Sequence, residues 1–397
     1  MGIWKSRIKP IIYWLHLWLG LFSGLILFVV SITGALSVFE QEIKDLMEPW
    51  RFVEAQDQSF APPSQLLDTA ARYVPGQAAT GLTYEDKEGA AAVGFWSQEG
   101  ANNVFSVVFL NPYTAEFIRK DTHFAEGTFD FFHFIMDGHR ALWLPYEIGQ
   151  PIVGIGSLIF LFLLLSGLIM WWPKSWRKSE SKRAFKIKWK GSFKRLNHDL
   201  HNVLGFYVLV FALVIVVTGL VWSFDWFGKA VYYMTSGGKS KTEHVHPHSD
   251  VAHKHLANND TIPAIDRAFY KAFEVEPNPQ RIYMTPTLTE EDASIEIVFF
   301  KYQGKFYHHN TYFFDRYTLE PLRVENDRYD EADFGHRLAE MNYDLHTGRI
   351  LGLPGKILAF LVSLILASLP VTGFLIWYQK QRKKKKQRQS LLEQLHS

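Results

Sequence analysis

The chain has no cysteine among its 397 residues. That excludes structural disulfides, cysteine-ligated iron–sulfur clusters and c-type haem, which needs C-x-x-C-H. Any haem must be held by non-covalent contacts and by histidine or methionine ligands. Nucleotide signatures are missing too. No G-x-G-x-x-G occurs, and Gly154-Ile155-Gly156 sits in an apolar run without the third glycine. No flavin or nicotinamide domain is indicated. H-E-x-x-H and a strand-to-helix nucleophile turn are also absent, which removes the zinc-protease and serine-hydrolase readings.

What is present is apolar surface in long runs. The chain is 48% hydrophobic and 16% aromatic, a balance that suits membrane spans mixed with polar domains. Four stretches approach the ~20 residues that cross a bilayer: Ile11–Phe39, Pro151–Trp172, Val203–Trp226 and Lys356–Tyr378. The first is too long for a cleaved leader and lacks a small-residue cleavage site. No buried carboxylate is expected in any span. The spans divide the chain into α+β segments at 40–150 and 227–350, a basic loop at 174–200 and a basic tail at 380–397.

Net charge is only +2, but it is unevenly placed. Pro173–Leu200 carries ten Lys or Arg against two acids, and the tail contains Lys383-Lys384-Lys385-Lys386. Lys5, Arg7 and Lys9 precede the first span. The positive-inside rule puts both termini and the basic loop in the cytoplasm, and the two long segments outside. Beside spans, such basic runs read as topology anchors and not as nucleic-acid contacts.

The chain reads as duplicated. His16, Gly20 and Thr33-Gly34 recur as His201, Gly205 and Thr218-Gly219, both in the frame H-x3-G-x12-T-G. Ser166-Gly167-Leu168-Ile169-Met170-Trp171 recurs as Thr372-Gly373-Phe374-Leu375-Ile376-Trp377. In the first long segment a helix is expected over Ser64–Tyr73, with strands at Gly81–Tyr84, Ala91–Trp96 and Val104–Leu110. In the second, a helix is expected over Ile262–Phe273, with strands at Arg281–Thr285, Ser294–Phe300 and Thr311–Phe314. Each last strand runs into Y-T-x-E, at Tyr113–Glu116 and Tyr317–Glu320. Two spans per half make the halves parallel repeats about an axis normal to the membrane.

A histidine inside a membrane helix is costly and marks a functional site by default. His16 and His201 occupy matching places in the two halves, which suggests one shared ligand. A haem iron with two histidine ligands fits best. Gly20 and Gly205 follow by one turn. Gly34 and Gly219 follow by five turns, ~27 Å on along the same face, and would let a flat macrocycle approach. Small residues also serve helix packing, but packing does not explain the histidines.

A second pair is expected from His139 and His346, upstream of Leu144-Pro145 and Leu353-Pro354. Arg140 and Arg349 follow closely, and Arg suits the carboxylates of haem propionates. His133 is the other candidate ligand in the first half. His198 is an alternative to His201, or a propionate partner. His244, His246, His248, His253 and His255 form a cluster that reads as a linker rich in polar residues, with metal binding as the rival reading. His308-His309 is given no role. Trp96, Tyr113, Tyr307 and Tyr317 are possible acceptor contacts, with core packing as their ordinary role.

These residues resemble the PepSY-associated transmembrane-helix family of bacterial inner-membrane proteins. The carriers are H-x3-G in the first and third spans, L-H-x-G-x-I-x-G-L-P at Leu345–Pro354 and V-T-G-F-L-I-W at Val371–Trp377. The resemblance spans nearly the whole chain. It implies an α-helical integral membrane protein with four transmembrane helices in two parallel repeats, each carrying a small α+β PepSY-like periplasmic domain. It also implies similarity to two-haem ferric-siderophore reductases of the inner membrane.

The expected function is therefore electron transfer through two haem b groups to a ferric siderophore or other ferric chelate. His16 and His201 would hold one haem iron, His139 and His346 the other. Bis-histidine ligation leaves no open iron position and favours electron transfer over oxygen chemistry. The donor would be a membrane quinol or a separate reductase. The rival readings are a non-enzymatic membrane sensor whose PepSY-like domains bind peptides, and a small-molecule or metal permease.

Overall fold

The computed structural model describes residues 8–99, 102–125, 127–173, 184–241, 245–259, 261–286 and 290–396. Lys5, Arg7, His244 and part of the basic loop lie outside the described residues. The chain divides into two compact units, one of Met1–Glu40, Phe132–Gly228 and Leu345–Ser397, the other of Gln41–Phe131 and Lys229–Asp344.

In chain order the elements are α1 (Lys9–Ser37), α2 (Glu40–Met47), α3 (Pro63–Ala71), β1 (Ala79–Tyr84), β2 (Ala91–Glu99), β3 (Asn102–Leu110) and β4 (Phe117–His123). Then come α4 (Phe131–Ala141), α5 (Tyr146–Trp171), α6 (Phe193–Ser223), α7 (Asp225–Thr235) and α8 (Ala264–Val275). Last are β5 (Arg281–Met284), β6 (Ile295–Phe300), β7 (His309–Phe314), β8 (Pro321–Leu322), α9 (Phe334–Glu340), α10 (Asn342–Thr347) and α11 (Leu353–His396).

Four helices, α1, α5, α6 and α11, are long and apolar enough to cross a membrane. They close a ring: α1 packs on α5 and α11, and α6 packs on α5 and α11. The bounds differ from the hydropathy reading mainly at polar ends. The third span starts at Phe193 because Ser192 caps it, its side chain accepting from Arg195 N. That extension brings Asp199 into the helix as a buried carboxylate, contrary to the expectation of none. Its charge is met by Arg195 Nε at 2.8 Å and Lys188 N at 3.2 Å. The fourth helix runs on through the basic tail to His396.

Within α6, Leu200–Leu204 forms a π turn. Such turns occur at functional sites, and this one carries His201. At the corner before each of α5 and α11 the backbone folds back on itself. A Cβ on Gly149 would lie 2.0 Å from Ala141 O, and one on Gly355 would lie 2.0 Å from Gly348 O. Only glycine allows that approach. The corners fix α4 and α10 against the ends of their spans.

The second unit is built on one antiparallel sheet of eight strands, in the order β4-β3-β2-β1-β5-β6-β7-β8. The two long segments were expected as separate domains. They are instead two four-stranded meanders joined where β1 pairs with β5, Leu82 opposite Met284 and Tyr84 opposite Ile282. Joining them removes two sheet edges that would otherwise present unpaired N–H and C=O groups. Helices α3 and α8 pack together and contribute Leu66, Ala70, Ala268, Phe269 and Ala272 to a core shared with both meanders. Strands β4 and β8 were not anticipated.

The Y-T-x-E stretches turn out to be the turns themselves, between β3 and β4 and between β7 and β8. Asn111 Oδ1 accepts from the N–H of Tyr113 and Thr114, and Asp315 Oδ1 accepts from Tyr317 and Thr318. Ala115 and Leu319 adopt left-handed φ of 57° and 59°. Both tyrosines are buried and donate their hydroxyls to Lys87 O and Glu291 O. Asp315 also accepts from Asp250 N at 2.7 Å. Asp315→Ala thus strands three N–H groups, and at ~1 kcal/mol or more for each unmet donor should destabilise β7–β8 by roughly 3 kcal/mol. Asn111→Ala strands two and should cost less in β3–β4. Amide hydrogen exchange across both hairpins reads the difference.

Candidate functional site

The four predicted histidines are each received by a hydroxyl–glycine pair on a neighbouring helix. His16 on α1 donates from Nδ1 to Ser166 Oγ of α5 at 2.8 Å, and a Cβ on Gly167 would lie 3.5 Å from its Cε1. His201 on α6 donates to Thr372 Oγ1 of α11 at 3.0 Å, and a Cβ on Gly373 would lie 3.3 Å from its Cε1. His139 on α4 donates to Val30 O of α1 at 2.9 Å, with Thr33 Oγ1 at 3.4 Å, and a Cβ on Gly34 would lie 2.9 Å from its Cε1. His346 on α10 donates to Ile215 O of α6 at 3.0 Å and Thr218 Oγ1 at 2.9 Å, and a Cβ on Gly219 would lie 3.3 Å from its Cε1.

The arrangement is reciprocal within each half of the sequence. The first span's histidine is seated on the second span, and the histidine preceding the second span is seated on the first. Gly34 and Gly219, read from spacing as gaps for a flat ligand, receive imidazole rings from the partner element. His16 and Gly34 lie on one helix, His16 reaching out to α5 and Gly34 receiving the ring of His139. Sequence reasoning used the four Ser/Thr-Gly pairs as marks of duplication, and Gly34 and Gly219 also as gaps for a flat ligand. Their recurrence once per histidine was the available signal.

The seats fix which ring nitrogen carries the proton. A hydroxyl has one hydrogen to donate. Ser166 gives it to Phe162 O at 2.8 Å, Thr372 to Ser368 O at 2.9 Å, Thr33 to Val29 O at 2.7 Å and Thr218 to Val214 O at 2.7 Å. This is the common back-bond of a helical Ser or Thr to the carbonyl four residues earlier. Each hydroxyl can then only accept from the imidazole, as can the carbonyls of Val30 and Ile215. Nδ1 of His139 and His346, facing carbonyls, must bear a hydrogen and leave Nε2 as a lone pair, and the back-bonded hydroxyls favour the same tautomer in His16 and His201. Burial pushes His346 down to about 4 and His139 in the same direction. Neutral imidazole is the form that binds a metal.

His139 and His346 face one another with ring centres 6.1 Å apart and planes at 69°. Two imidazoles that share a metal bonded ~2.0–2.1 Å from each nitrogen have ring centres roughly 6 Å apart, close to the spacing here. Trp222 lies edge-on to His346, with ring centres 5.3 Å apart.

His16 and His201 line a common cavity of about 220 Å³. A water needs only ~10–15 Å³ by that measure, so the space suits a much larger guest. Its walls are largely apolar: Gly20, Gly205, Leu163, Phe160 and Leu209 are among them, with Gly167 and Gly373 under the rings. Gly20 and Gly205 look across to Leu163 and Leu369, which keeps the middle of the cavity open. Tyr13, His198, Asn202 and Lys380 supply its polar part, and Lys380 Nζ donates to Tyr13 OH at 2.6 Å. A macrocycle with carboxylate substituents matches this donor set: two imidazoles, apolar walls and a cationic rim.

The alternatives to the four histidines fall elsewhere. His133 is exposed on α4 and pairs with Asp137 at 3.2 Å. His198 reaches the cavity but stays exposed, with Asp199 3.7 Å away and Asn202 bonded to it. Arg140 is exposed beside His139, and Arg349 is half-buried in the turn before α11. Asn197 was not anticipated: it is buried and donates to Thr372 O at 3.0 Å, bracing the seat of His201. In the histidine-rich stretch, His246, His248 and His253 face Glu296, Asp292 and Asp250 separately. Among the described residues no group of three or more His, Cys, Asp or Glu is placed to hold a metal ion. Tyr307 packs among Tyr302, His308 and Tyr329, while half-exposed Trp96 stacks on Phe105 and Phe124.

Residues 13–380 match the family model described as PepSY-associated TM region. Comparison with curated proteins finds no match.

Proposed function

The chain belongs to the PepSY-associated TM family, and from the seating of its four histidines we propose that it is a haem b oxidoreductase that carries electrons across the bacterial inner membrane to a ferric siderophore or other ferric chelate. The observation that carries this reading is that all four histidines have Nδ1 hydrogen-bonded to a seat on a spanning helix, two of them 6.1 Å apart by ring centre.

In this reading the chain forms two parallel repeats with both termini in the cytoplasm, because the cation-rich segments flank the His16–His201 end of the spans. That pair is then the inner site and His139–His346 the outer one, with the sheet unit in the periplasm. A bis-imidazole haem iron has no open position and so passes single electrons without binding oxygen.

The protein's part is to hold and insulate. The seats would hold each imidazole by Nδ1 and leave Nε2 for the iron. Leu163, Phe160 and Leu209 would keep water from the inner site. Lys380 would meet an inner propionate, and Arg140 and Arg349 would meet the outer ones. The donor is a membrane quinol or a separate reductase. At the outer face the chelate's ferric ion takes one electron and leaves as ferrous iron, which siderophores hold far less tightly.

The test is the optical spectrum of the detergent-purified protein, oxidised and then dithionite-reduced, with pyridine haemochromogen quantitation. Sharp reduced b-type bands at about two haems per chain, the count that two bis-histidine pairs require, are the expected result. A colourless protein, still colourless after expression with added haem, would sink the reading and leave a peptide-binding sensor in its place.

A further inference from the structure

Resting on the haem reading, the geometry points to Thr33 and Thr218 as positioning residues that hold the two outer imidazoles crosswise and thereby set the electronic structure and potential of the outer iron.

A histidine ring turns about a broad torsion, so something outside the residue must fix its plane. Three contacts do so here. Nδ1 of His346 donates both to Ile215 O at 3.0 Å and to Thr218 Oγ1 at 2.9 Å, and the ring edge rests on Gly219. His139 is held in the same manner by Val30 O at 2.9 Å, Thr33 Oγ1 at 3.4 Å and Gly34. The two seats lie on α1 and α6, and the angle they impose is 69°. Rotating either ring toward the other's plane would break its bond to the hydroxyl while the glycine contact blocks lateral escape.

The angle has a chemical consequence. Each imidazole donates electron density to iron along the normal to its ring. Parallel rings load one iron d orbital and leave its partner alone. Crossed rings load both, and the two stay nearly equal in energy. The ferric state then gives a highly anisotropic low-spin signal in electron paramagnetic resonance, and it is stabilised less, which raises the potential. Hydrogen bonds to the non-ligating nitrogen tune a metal site through orientation and basicity. The distances rank the two hydroxyls: Thr218 makes a full bond, whereas His139 leans mainly on the carbonyl of Val30. Thr218 should therefore matter more.

The experiment uses the full-length, haem-loaded protein. Ferric spectra and redox titrations are compared for wild type, Thr218→Val, Thr218→Ser and Thr33→Val. Valine keeps the shape and removes the acceptor; serine keeps the acceptor. Wild type should show one highly anisotropic low-spin signal. Thr218→Val should move it toward a rhombic form, shift the outer potential and weaken outer haem binding by about 10-fold or more. Thr218→Ser should resemble wild type, and Thr33→Val should show a smaller change. The inner centre should be unaltered in all three.

If Thr218→Val costs the outer haem entirely while Thr218→Ser retains it with the wild-type signal, the hydroxyl is still shown to position the ring. A Thr218→Val protein with two haems, the wild-type signal and the wild-type potential overturns the inference and leaves the haem reading standing. A wild-type chain that binds no haem overturns both.

Discussion

His346→Ala is expected to reduce the haem content from two to one per chain and to abolish reduction of an external ferric chelate. The imidazole it removes is half of a facing pair whose ring centres are 6.1 Å apart. His139 alone would offer one nitrogen where the pair offers two. The hydroxyl of Thr218 would lose the N–H it now accepts. His201→Ala should have the matching effect at the inner site, where His16 would keep its seat and His198 stays at the exposed rim. His16 and the seat of His139 lie near opposite ends of α1, ~27 Å apart by rise per residue, so neither centre can stand in for the other. Two controls separate ligation from general damage. His133→Ala removes a ring that faces Asp137 in solvent, and His198→Ala removes one that stays exposed at the cavity rim. Both should keep two haems. Haemochromogen quantitation and chelate reduction in proteoliposomes measure all four. Retention of two haems by both His346→Ala and His201→Ala would refute the ligand assignment.

The residues readable from sequence were those whose signal is local. The four spans follow from composition, and most strands from apolar runs ending in a turn motif. His16 and His201 stood out because a histidine is conspicuous in an apolar run. His139 and His346 were found beside Leu-Pro dipeptides, but their helices were not. Helix α4 contains Gly138 and ends at Ala141, followed by Leu142 and Trp143, two residues at positive φ of 54° and 58° that no propensity would favour. Helix α10 has only six residues, too few for a periodic pattern. Strand β4 reads Phe117-Ile-Arg-Lys-Asp-Thr-His123, charged because it lies at a sheet edge. The pairing of β1 with β5 joins residues about two hundred positions apart, where nothing local specifies a partner. The seats were hidden for the same reason. Thr33-Gly34 looks like an ordinary helix-packing pair until His139 is placed above it.

The glycine seats give the most discriminating test, because their tolerances differ. Alanine is favoured over glycine inside a helix by ~1 kcal/mol, so substitution should stabilise each span unless the new methyl meets the imidazole. At Gly34 the Cβ would lie 2.9 Å from Cε1 and 3.2 Å from Nδ1 of His139. The ring cannot slide aside without losing Val30 O, its main acceptor. Gly34→Ala should therefore lose the outer haem. At Gly167 the nearest atom of His16 is 3.5 Å away, an ordinary contact. Gly167→Ala should keep both haems and raise the thermal midpoint. At Gly219 and Gly373 the added Cβ would lie 3.3 Å from a ring carbon, and these variants should fall between, binding haem with a displaced ring and a shifted potential. Haem content and thermal unfolding of the four alanine variants test the order. A Gly34→Ala protein with a full outer haem, or a Gly167→Ala protein without its inner one, would mean that these glycines serve helix packing alone.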